Sequence, residues 1–157
     1  MILRKGQSKT DAATEAQAAL HGAFTAELLS DTGGLTQFGA FTETLMPGSR
    51  SGHRHWHAAE DEFLYTLDGI VTLHENDGAR DLPPGTCVSW PAGVANAHCL
   101  ENRTDQPVTY FVAGSRLPED EVTYPDIDLH YSRRNGLRTL SHKDGTPYPG
   151  WPKETNR

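Results

Sequence analysis

Three histidines on alternate residues, followed by a glutamate, are the side chains of this sequence best suited to chemistry. The stretch SGHRHWHAAEDEFLYTLDG, residues 51–69, contains His53, His55 and His57, and Glu62 comes after four intervening residues. Alternate side chains of a strand project to the same side, so His55 and His57 are predicted to point together while Trp56 points away. Glu62 is placed to return from a short turn and add an oxygen ligand.

A second cluster, PGTCVSWPAGVANAHCLEN at residues 84–102, supplies another imidazole. A strand and a Pro-Ala-Gly turn precede His98, and a closed sheet would bring His98 back to the first cluster. Three neutral imidazoles and one carboxylate suit a divalent transition metal such as Fe, Mn, Ni, Cu or Zn. Four protein ligands leave about two open positions on a six-coordinate ion, where substrate or oxygen can bind.

The elements that must position these ligands are predicted to be short strands. Apolar runs with a period of two are broken by turn formers such as Pro47-Gly48, Asn76-Asp77-Gly78 and Pro83-Pro84-Gly85. The expected strands lie in AFTAELL, LTQFGAFTETLM, EFLYTLDG, IVTLHE, TCVSWPAG, AHCLEN and VTYFVAG. Many strands without long helices between them predict an all-β antiparallel sandwich or barrel.

We expect a single domain with an appendage at each end of the barrel. Residues 1–22 are predicted to form an N-terminal arm, with a helix over TDAATEAQAALHG that is capped by Thr10 or Asp11 and ends at Gly22. Residues 23–116 form the barrel. Residues 117–157 are rich in Pro, Asp, Tyr and Gly, which predicts an extended tail over the barrel or a neighbouring subunit, frayed at its end.

Charge and cysteine content limit the partners and the compartment. The net charge is −7 with no basic block, which argues against nucleic acid or an anionic membrane surface as partner. The sequence has no apolar run of membrane-spanning length, and its start, MILRKGQSKT, lacks the apolar segment of a secretory signal. Two cysteines, Cys87 and Cys99, favour a reducing cytosol over a disulfide framework. A small molecule is the expected partner, and a cytoplasmic location is expected.

The strand EFLYTLDG indicates an additional covered surface. Phe63, Tyr65 and Leu67 share one parity while Leu64 and Thr66 share the other, so both faces of the strand are partly apolar. In a sheet with one solvent-exposed face, apolar and polar residues alternate more regularly along each strand. The outer face is therefore predicted to be covered by the tail or by a second copy of the chain, and a homodimer is expected.

The spacing of the two clusters resembles the two-part cupin signature, G-x(5)-H-x-H-x(3,4)-E-x(6)-G and G-x(5)-P-x-G-x(2)-H-x(3)-N. The first part matches at His55, His57, Glu62 and Gly69, with Gly48 one residue further from the histidines. The second part matches at Gly85, Pro91, Gly93, His98 and Asn102, with four residues instead of two before the histidine.

This resemblance implies a double-stranded β-helix, a jelly-roll barrel that is commonly dimeric. It implies that His55, His57, Glu62 and His98 hold the metal inside the barrel mouth. The wider context, including PAGVANAHCLEN, GSR and YPDIDL, resembles small single-domain bacterial cupins, some of which are described as sugar-phosphate isomerase-like.

The resemblance also identifies which histidine is the first metal ligand along the sequence. Only His55 as first ligand leaves Glu62 six residues before Gly69. His53 is therefore predicted to lie at the rim, with support of a ligand or contact with substrate as the alternative role. Because Glu62 is assigned to the metal, the candidates for a general base are His53 and a metal-bound hydroxide.

Parity with the ligands predicts the lining of the pocket. Leu64 and Thr66 share parity with Glu62, while Asn96 and Leu100 share parity with His98. If the ligands face inward, these four residues line a mostly apolar small-molecule pocket.

A sugar phosphate substrate would call for an inward-facing arginine or lysine, because phosphate recognition is charge-assisted. The nearest candidates are Arg50, which lies in the preceding turn, and Arg54, which has the wrong parity.

Three functions compete for this metal site. The first is a metalloenzyme for a small organic molecule, of isomerase or lyase type, or a dioxygenase if the ion is Fe(II). The second is a non-catalytic ligand-binding cupin, a sensor or storage protein. A structural metal ranks last, since structural zinc sites are usually closed and rich in cysteine. The fold alone does not decide between them.

Overall fold

The strands of this chain pair into antiparallel sheets, the largest of which has six strands. The computed structural model describes residues 1–135 and 137–148. The six-stranded sheet has the order β1-β2-β3-β10-β5-β8. Its strands are Lys9–Ala12 (β1), Phe24–Leu28 (β2), Phe38–Leu45 (β3), Val108–Ser115 (β10), Glu62–Asp68 (β5) and Cys87–Trp90 (β8).

Two smaller sheets and two short helices complete the described structure. The four-stranded sheet consists, in order, of Leu137–Ser141 (β13), Leu129–Arg134 (β12), Asp120–Tyr124 (β11) and Trp56–His57 (β4). The three-stranded sheet consists of Gly78–Leu82 (β7), Val71–Glu75 (β6) and Cys99–Glu101 (β9). The helices are Glu15–His21 (α1) and Leu29–Gly33 (α2). The expected all-β architecture is confirmed.

The hydrophobic core is built from the inward-facing residues of these sheets. On β5, Leu64 and Thr66 are each 1% exposed, whereas the intervening Tyr65 is 40% exposed. This alternation follows from the period of two in a strand. The buried cluster consists of Phe24, Leu45, Leu64, Val71, Leu73, Leu82, Trp90, Leu100, Val108 and Tyr110.

The N-terminal segment differs from its prediction. Helix α1 begins after Thr14, whose hydroxyl accepts a hydrogen bond from the Gln17 N–H in a capping box. The predicted caps at Thr10 and Asp11 are wrong because these residues belong to β1, which pairs with β2. The helix ends before Gly22 as predicted. The AFTAELL run also divides, since β2 ends at Leu28 and α2 follows.

The C-terminal segment is more regular than the predicted extended tail. Three strands, β11, β12 and β13, follow one another in antiparallel pairs. Strand β11 also pairs with β4, where Val122 faces His57 and Thr123 faces Trp56. The segment therefore contacts the strand that carries a predicted ligand. The predicted frayed end, residues 149–157, lies outside the described residues.

The outer face of β5 stays open in the single chain. Phe63, Tyr65 and Leu67 are 37%, 40% and 46% exposed, so the described part of the C-terminal segment does not bury them. Within residues 1–135 and 137–148, no helix has the length and apolar character needed to cross a membrane.

Candidate metal centre

Two distant segments of the chain converge at the predicted ligands. His55 and His98 form an antiparallel bridge, in which the His55 N–H donates to the His98 carbonyl at 3.1 Å and the His98 N–H donates to the His55 carbonyl at 2.9 Å. His57 lies on β4, and Glu62 is the first residue of β5. The four side chains thus come from β4, β5 and the two segments joined by the bridge.

The distances place these four side chains around one volume. One ligand atom each from His55, Glu62 and His98 lies within 4.8 Å of the other two. The Glu62 Oε2 atom is 2.9 Å from His98 Nε2 and 3.7 Å from His57 Nε2. The His55 ring centroid is 5.3 Å from those of both His57 and His98. The structure therefore brings His55, Glu62 and His98 together, and His57 lies beside this group through the 3.7 Å contact of its Nε2 atom with Glu62.

Each of the three histidines contacts an oxygen through its own Nδ1 atom. The Nδ1 atom of His55 lies 3.0 Å from the His53 carbonyl oxygen. The Nδ1 atom of His57 lies 2.6 Å from the Asp120 carboxylate, and that of His98 lies 3.3 Å from the Asn96 carbonyl oxygen. An oxygen at Nδ1 favours the tautomer with the proton on that atom. For His55 and His57 this leaves the Nε2 lone pair for an ion, which is the usual arrangement of metal-ligating histidines. The His98 Nε2 atom lies 2.9 Å from a Glu62 oxygen, and a bound ion would replace this hydrogen bond.

The electrostatics of the cluster favour a neutral His55 and an ionised Glu62. Burial lowers the pKa of His55 to about 4, so its ring is neutral near pH 7. Burial alone would raise the pKa of Glu62, but the hydrogen bond with His98 and the nearby imidazoles lower it to about 2. A neutral imidazole and an ionised carboxylate are the forms that bind a metal.

Asp120, from the C-terminal segment, fixes the orientation of His57. Its side chain is 1% exposed, and its second oxygen accepts a hydrogen bond from the Ala59 N–H at 3.0 Å. Burial opposes a charge on His57, but the Asp120 hydrogen bond and the Glu62 charge outweigh it and raise the His57 pKa. The same contact outweighs the effect of burial on Asp120 and lowers its pKa.

A second group of possible ligands lies on the other side of the His57 ring. His57, Glu60 and Asp120 each offer an atom within 4.8 Å of the others. The Glu60 carboxylate already forms an ion pair with Arg133 and accepts a hydrogen bond from the Leu117 N–H at 2.7 Å. Since these carboxylates are already bonded, this group supports the His57 ring from behind.

Three of the predicted pocket residues lie within the protein wall and core. Leu64 and Leu100 belong to the hydrophobic cluster. Thr66 is 1% exposed, and its hydroxyl donates to the Pro83 carbonyl at 2.6 Å.

The other two predicted residues lie at the edge of the centre. The Asn96 side chain turns to the β6–β7 hairpin, where its amide donates to Glu75 at 2.7 Å. The His53 ring packs edge-on against His21, with 4.5 Å between the centroids, and the His53 carbonyl lies 3.0 Å from His55 Nδ1.

Two aromatic residues that sequence reasoning did not single out contact the ligands. Trp90 stacks on His98 with 3.8 Å between centroids and 10° between planes, and its indole N–H donates to Glu75 at 2.9 Å. Tyr124 lies 5.6 Å from the His55 ring. The pairing of Glu62 with Trp90 between β5 and β8 explains the position of the indole, but this register is not readable from the sequence.

A groove of about 540 Å³ lies against the outer face of the six-stranded sheet, lined by Glu62, Trp90, Phe38 and Phe63, among others. Phe63 belongs to the exposed face of β5, opposite buried Leu64. Of the four predicted ligands, Glu62 alone is among the described residues that line this groove. The groove therefore differs from the inward-facing pocket predicted by parity.

The donor set of the centre fits a divalent transition metal. Three imidazoles with bonded Nδ1 atoms and one ionised carboxylate face one volume, as such ions require. The side chains of His57, Glu62 and His98 are 17%, 20% and 7% exposed, so a path from the surface remains.

Comparisons with known proteins agree with this architecture. The family description "Cupin domain" matches residues 41–114. A sugar phosphate isomerase of the cupin superfamily from Silicibacter pomeroyi is 32% identical with a TM-score of 0.87, over 94% of this chain and 96% of that one. A candidate sugar phosphate isomerase from Acidithiobacillus ferrooxidans is 29% identical with a TM-score of 0.74, over 82% of each chain.

A more distant likeness concerns the fold alone. A polyketide cyclase from Streptomyces resistomycificus is 22% identical with a TM-score of 0.58, over 73% of this chain and 80% of that one. No curated protein sequence matches the chain. The predicted jelly-roll fold is confirmed, and the extended match to the Silicibacter protein shows that the chain belongs to the cupin superfamily.

Proposed function

We propose that this cupin is a metalloenzyme that holds one divalent transition metal at His55, His57, Glu62 and His98 and acts on a small organic substrate. The observation that carries the proposal is the shared orientation of the histidines. All three Nδ1 atoms face oxygens, and the Nε2 atoms of His57 and His98 lie 3.7 and 2.9 Å from the same Glu62 oxygen, where an ion could take the place of these contacts. A chance cluster of surface histidines has no reason to orient its rings in this way.

The surrounding residues prepare the site for chemistry. A bound ion would act as a Lewis acid on a carbonyl, enediol or carboxylate oxygen. Asp120 keeps the proton of His57 on Nδ1, and Trp90 stacks on His98, so both rings have little freedom to turn. The His57 and Glu62 side chains are 17% and 20% exposed, so a substrate could reach the centre beside them. The ring of His53 packs edge-on against that of His21, and it is not assigned as general base.

Among the possible reactions, sugar phosphate isomerisation has the best support. The Silicibacter protein with that name shares 32% of its residues over 94% of this chain. Moving a proton between neighbouring carbons of a hydroxy-carbonyl compound is a reaction that a Lewis acid assists. We therefore prefer isomerase chemistry to dioxygenase chemistry for this chain.

Metal content and turnover test this proposal together. Tag-free protein is assayed for bound metals by mass spectrometry and for aldose–ketose conversion of pentose and hexose phosphates by NMR. Glu62→Ala and His98→Ala should lose both metal and turnover, while His130→Ala, a control on β12, should keep both. Full metal content and turnover in the two ligand variants would contradict the proposal. A sugar phosphate retained without conversion, under air and under argon, would favour the non-catalytic cupin instead.

We also propose that two copies associate through the outer face of β5. Tyr65 and Leu67 are 40% and 46% exposed and lie side by side on an apolar sheet face. Light scattering after size exclusion should give the mass of a dimer. Tyr65→Asp should produce a monomer, whereas Leu137→Asp, on exposed β13, should not. A monomeric unmodified chain would contradict this assembly.

A further inference from the structure

A second cleft lies outside the barrel, between helix α1 and the sheet formed by β6 and β9. It has a volume of about 420 Å³, within the range of about 300–1,000 Å³ usual for small-molecule sites. Its polar lining comes from separate segments of the chain and includes His21, Arg50, His53, Arg54, His74 and Cys99.

The cleft and the metal centre lie on opposite faces of the same wall. His55 and His98 are bridged directly, and both direct their rings to the metal centre. Their neighbours Arg54 and Cys99 line the cleft. Because successive side chains of an extended chain alternate between faces, a molecule in the cleft is separated from the metal by backbone.

The charges around the cleft favour an anion. Arg54 makes a bidentate pair with Asp126, at 2.8 and 2.7 Å, which balances both charges. Glu101 is the other nearby carboxylate, and it is shared by Arg50 at 3.3 Å, Arg103 at 2.7 Å and His74 at 2.7 Å. Arg50, Arg54 and Asp126 are the charged residues that line the cleft, so its lining carries one surplus positive charge in a chain whose net charge is −7.

Arg50 is the cation best placed to take a ligand. Its side chain is 47% exposed, and among the described residues its guanidinium makes one hydrogen bond, the 3.3 Å contact with Glu101. A guanidinium has five N–H donors in a planar fork, so most of them remain for a phosphate or carboxylate.

The other polar residues of the cleft are three histidines and the buried Cys99. The rings of His21 and His53 lie 4.5 Å apart, edge to face. Burial lowers the pKa of His21, so this ring is neutral and carries one N–H. An anion in the cleft therefore meets arginine and imidazole donors, beside an Asp126 carboxylate whose charge is paired with Arg54.

We propose that this cleft binds a phosphate group, from inorganic phosphate or a phosphate monoester, at a site distinct from the metal centre. An arginine fork surrounded by imidazole donors suits the several acceptor oxygens of a phosphate better than the two of a carboxylate. The residues that line the cleft come from α1, the segment before β4, β6 and β9, so a bound phosphate ties these elements together. Phosphate is therefore expected to raise the melting temperature.

Calorimetric titration of the full chain after removal of metal with a chelator tests the site. Inorganic phosphate, ribose 5-phosphate, ribose and acetate are titrated in parallel. We expect one saturable phosphate site per chain. The affinity for phosphate should be at least about tenfold lower in Arg50→Gln, because a charge-assisted hydrogen bond is lost. Arg103→Gln is the matched control, since Arg103 shares Glu101 with Arg50 but does not line the cleft. It should bind within about twofold of the unmodified chain.

Each outcome supports or contradicts the proposal. Binding of the ester alone, still lost in Arg50→Gln, supports the cleft with a monoester as its ligand. No saturable binding, equal loss in the two arginine variants, or binding that needs metal would overturn it, as would equal binding of ribose or acetate. If Arg50→Gln unfolds, His21→Gln serves instead, and phosphate-induced shifts of the His74 ring signals report the site directly.

Discussion

The contact between His57 and Asp120 gives the sharpest test of how the protein prepares its metal site. Asp120→Asn keeps the shape of the side chain but removes its charge. The single side-chain oxygen of asparagine can still accept a hydrogen bond from the Ala59 N–H. The NH₂ group then faces His57 Nδ1. An amide donor at this position favours the wrong tautomer, with the proton on Nε2, where the metal should bind.

The size of the effect follows from the geometry. The Asp120–His57 contact is 2.6 Å long, and the Asp120 side chain is 1% exposed. A hydrogen bond to a charged group contributes about 1.5–3 kcal/mol, and about 1.4 kcal/mol corresponds to a factor of ten. Removal of a carboxylate that orients a ligating histidine typically lowers metal affinity about 10–100-fold, which agrees with this range. We therefore expect a loss of about 10–100-fold in metal affinity.

Competition between the protein and a chromogenic chelator measures this affinity without any assay of activity. Asp128→Asn is the control, because it removes the same charge from the turn between β11 and β12, where Asp128 bonds to His142 and Lys143. The control should keep the affinity of the unmodified chain. An Asp120→Asn protein that is folded and binds metal as tightly as the control would refute the reasoning.

The packing and the thiols give further predictions. In a denaturant titration, Leu64→Ala should lower the free energy of unfolding by about 2–5 kcal/mol, because it leaves a cavity in the core. The control Leu35→Ala, at a residue that is 47% exposed, should lower it by less than about 1 kcal/mol. At pH 8, iodoacetamide should modify exposed Cys87 rapidly and buried Cys99 only after unfolding, because burial raises the Cys99 pKa to about 11. Equal rates for the two thiols by mass spectrometry would contradict this burial.

Local sequence patterns predict much of the architecture. The period of two in EFLYTLDG predicts β5, and the structure places Leu64 and Thr66 inside and Tyr65 outside. The spacing selected His55, Glu62 and His98, whose ligand atoms converge, and His57, whose Nε2 atom lies 3.7 Å from Glu62, because strand parity and turn length decide where these side chains point. These features depend on residues that are close in sequence or on repeated spacing.

Other features depend on pairing between distant strands, which no single segment specifies. Asp120 reaches His57 only because β11 pairs with β4, so a residue of the predicted tail becomes part of the centre. The helix start was misplaced for a related reason: Thr10 and Asp11 are good capping residues, but they are taken up by the pairing of β1 with β2. Tertiary pairing overrides local propensity in both places.

The position of Arg50 and Arg54 shows the same limit. Parity excluded Arg54 from the barrel interior, and Arg50 was predicted to lie in the preceding turn; both line the cleft on the outside of the wall. The sequence could not show that helix α1 and strands β6 and β9 enclose that space.

Anomalous X-ray diffraction from crystals grown with a divalent transition metal tests the central claim most directly. The account predicts one strong peak about 2.0–2.2 Å from the Nε2 atoms of His55, His57 and His98 and from a Glu62 oxygen. A peak at His57 Nδ1 between Glu60 and Asp120, or no peak within reach of His98, would contradict it.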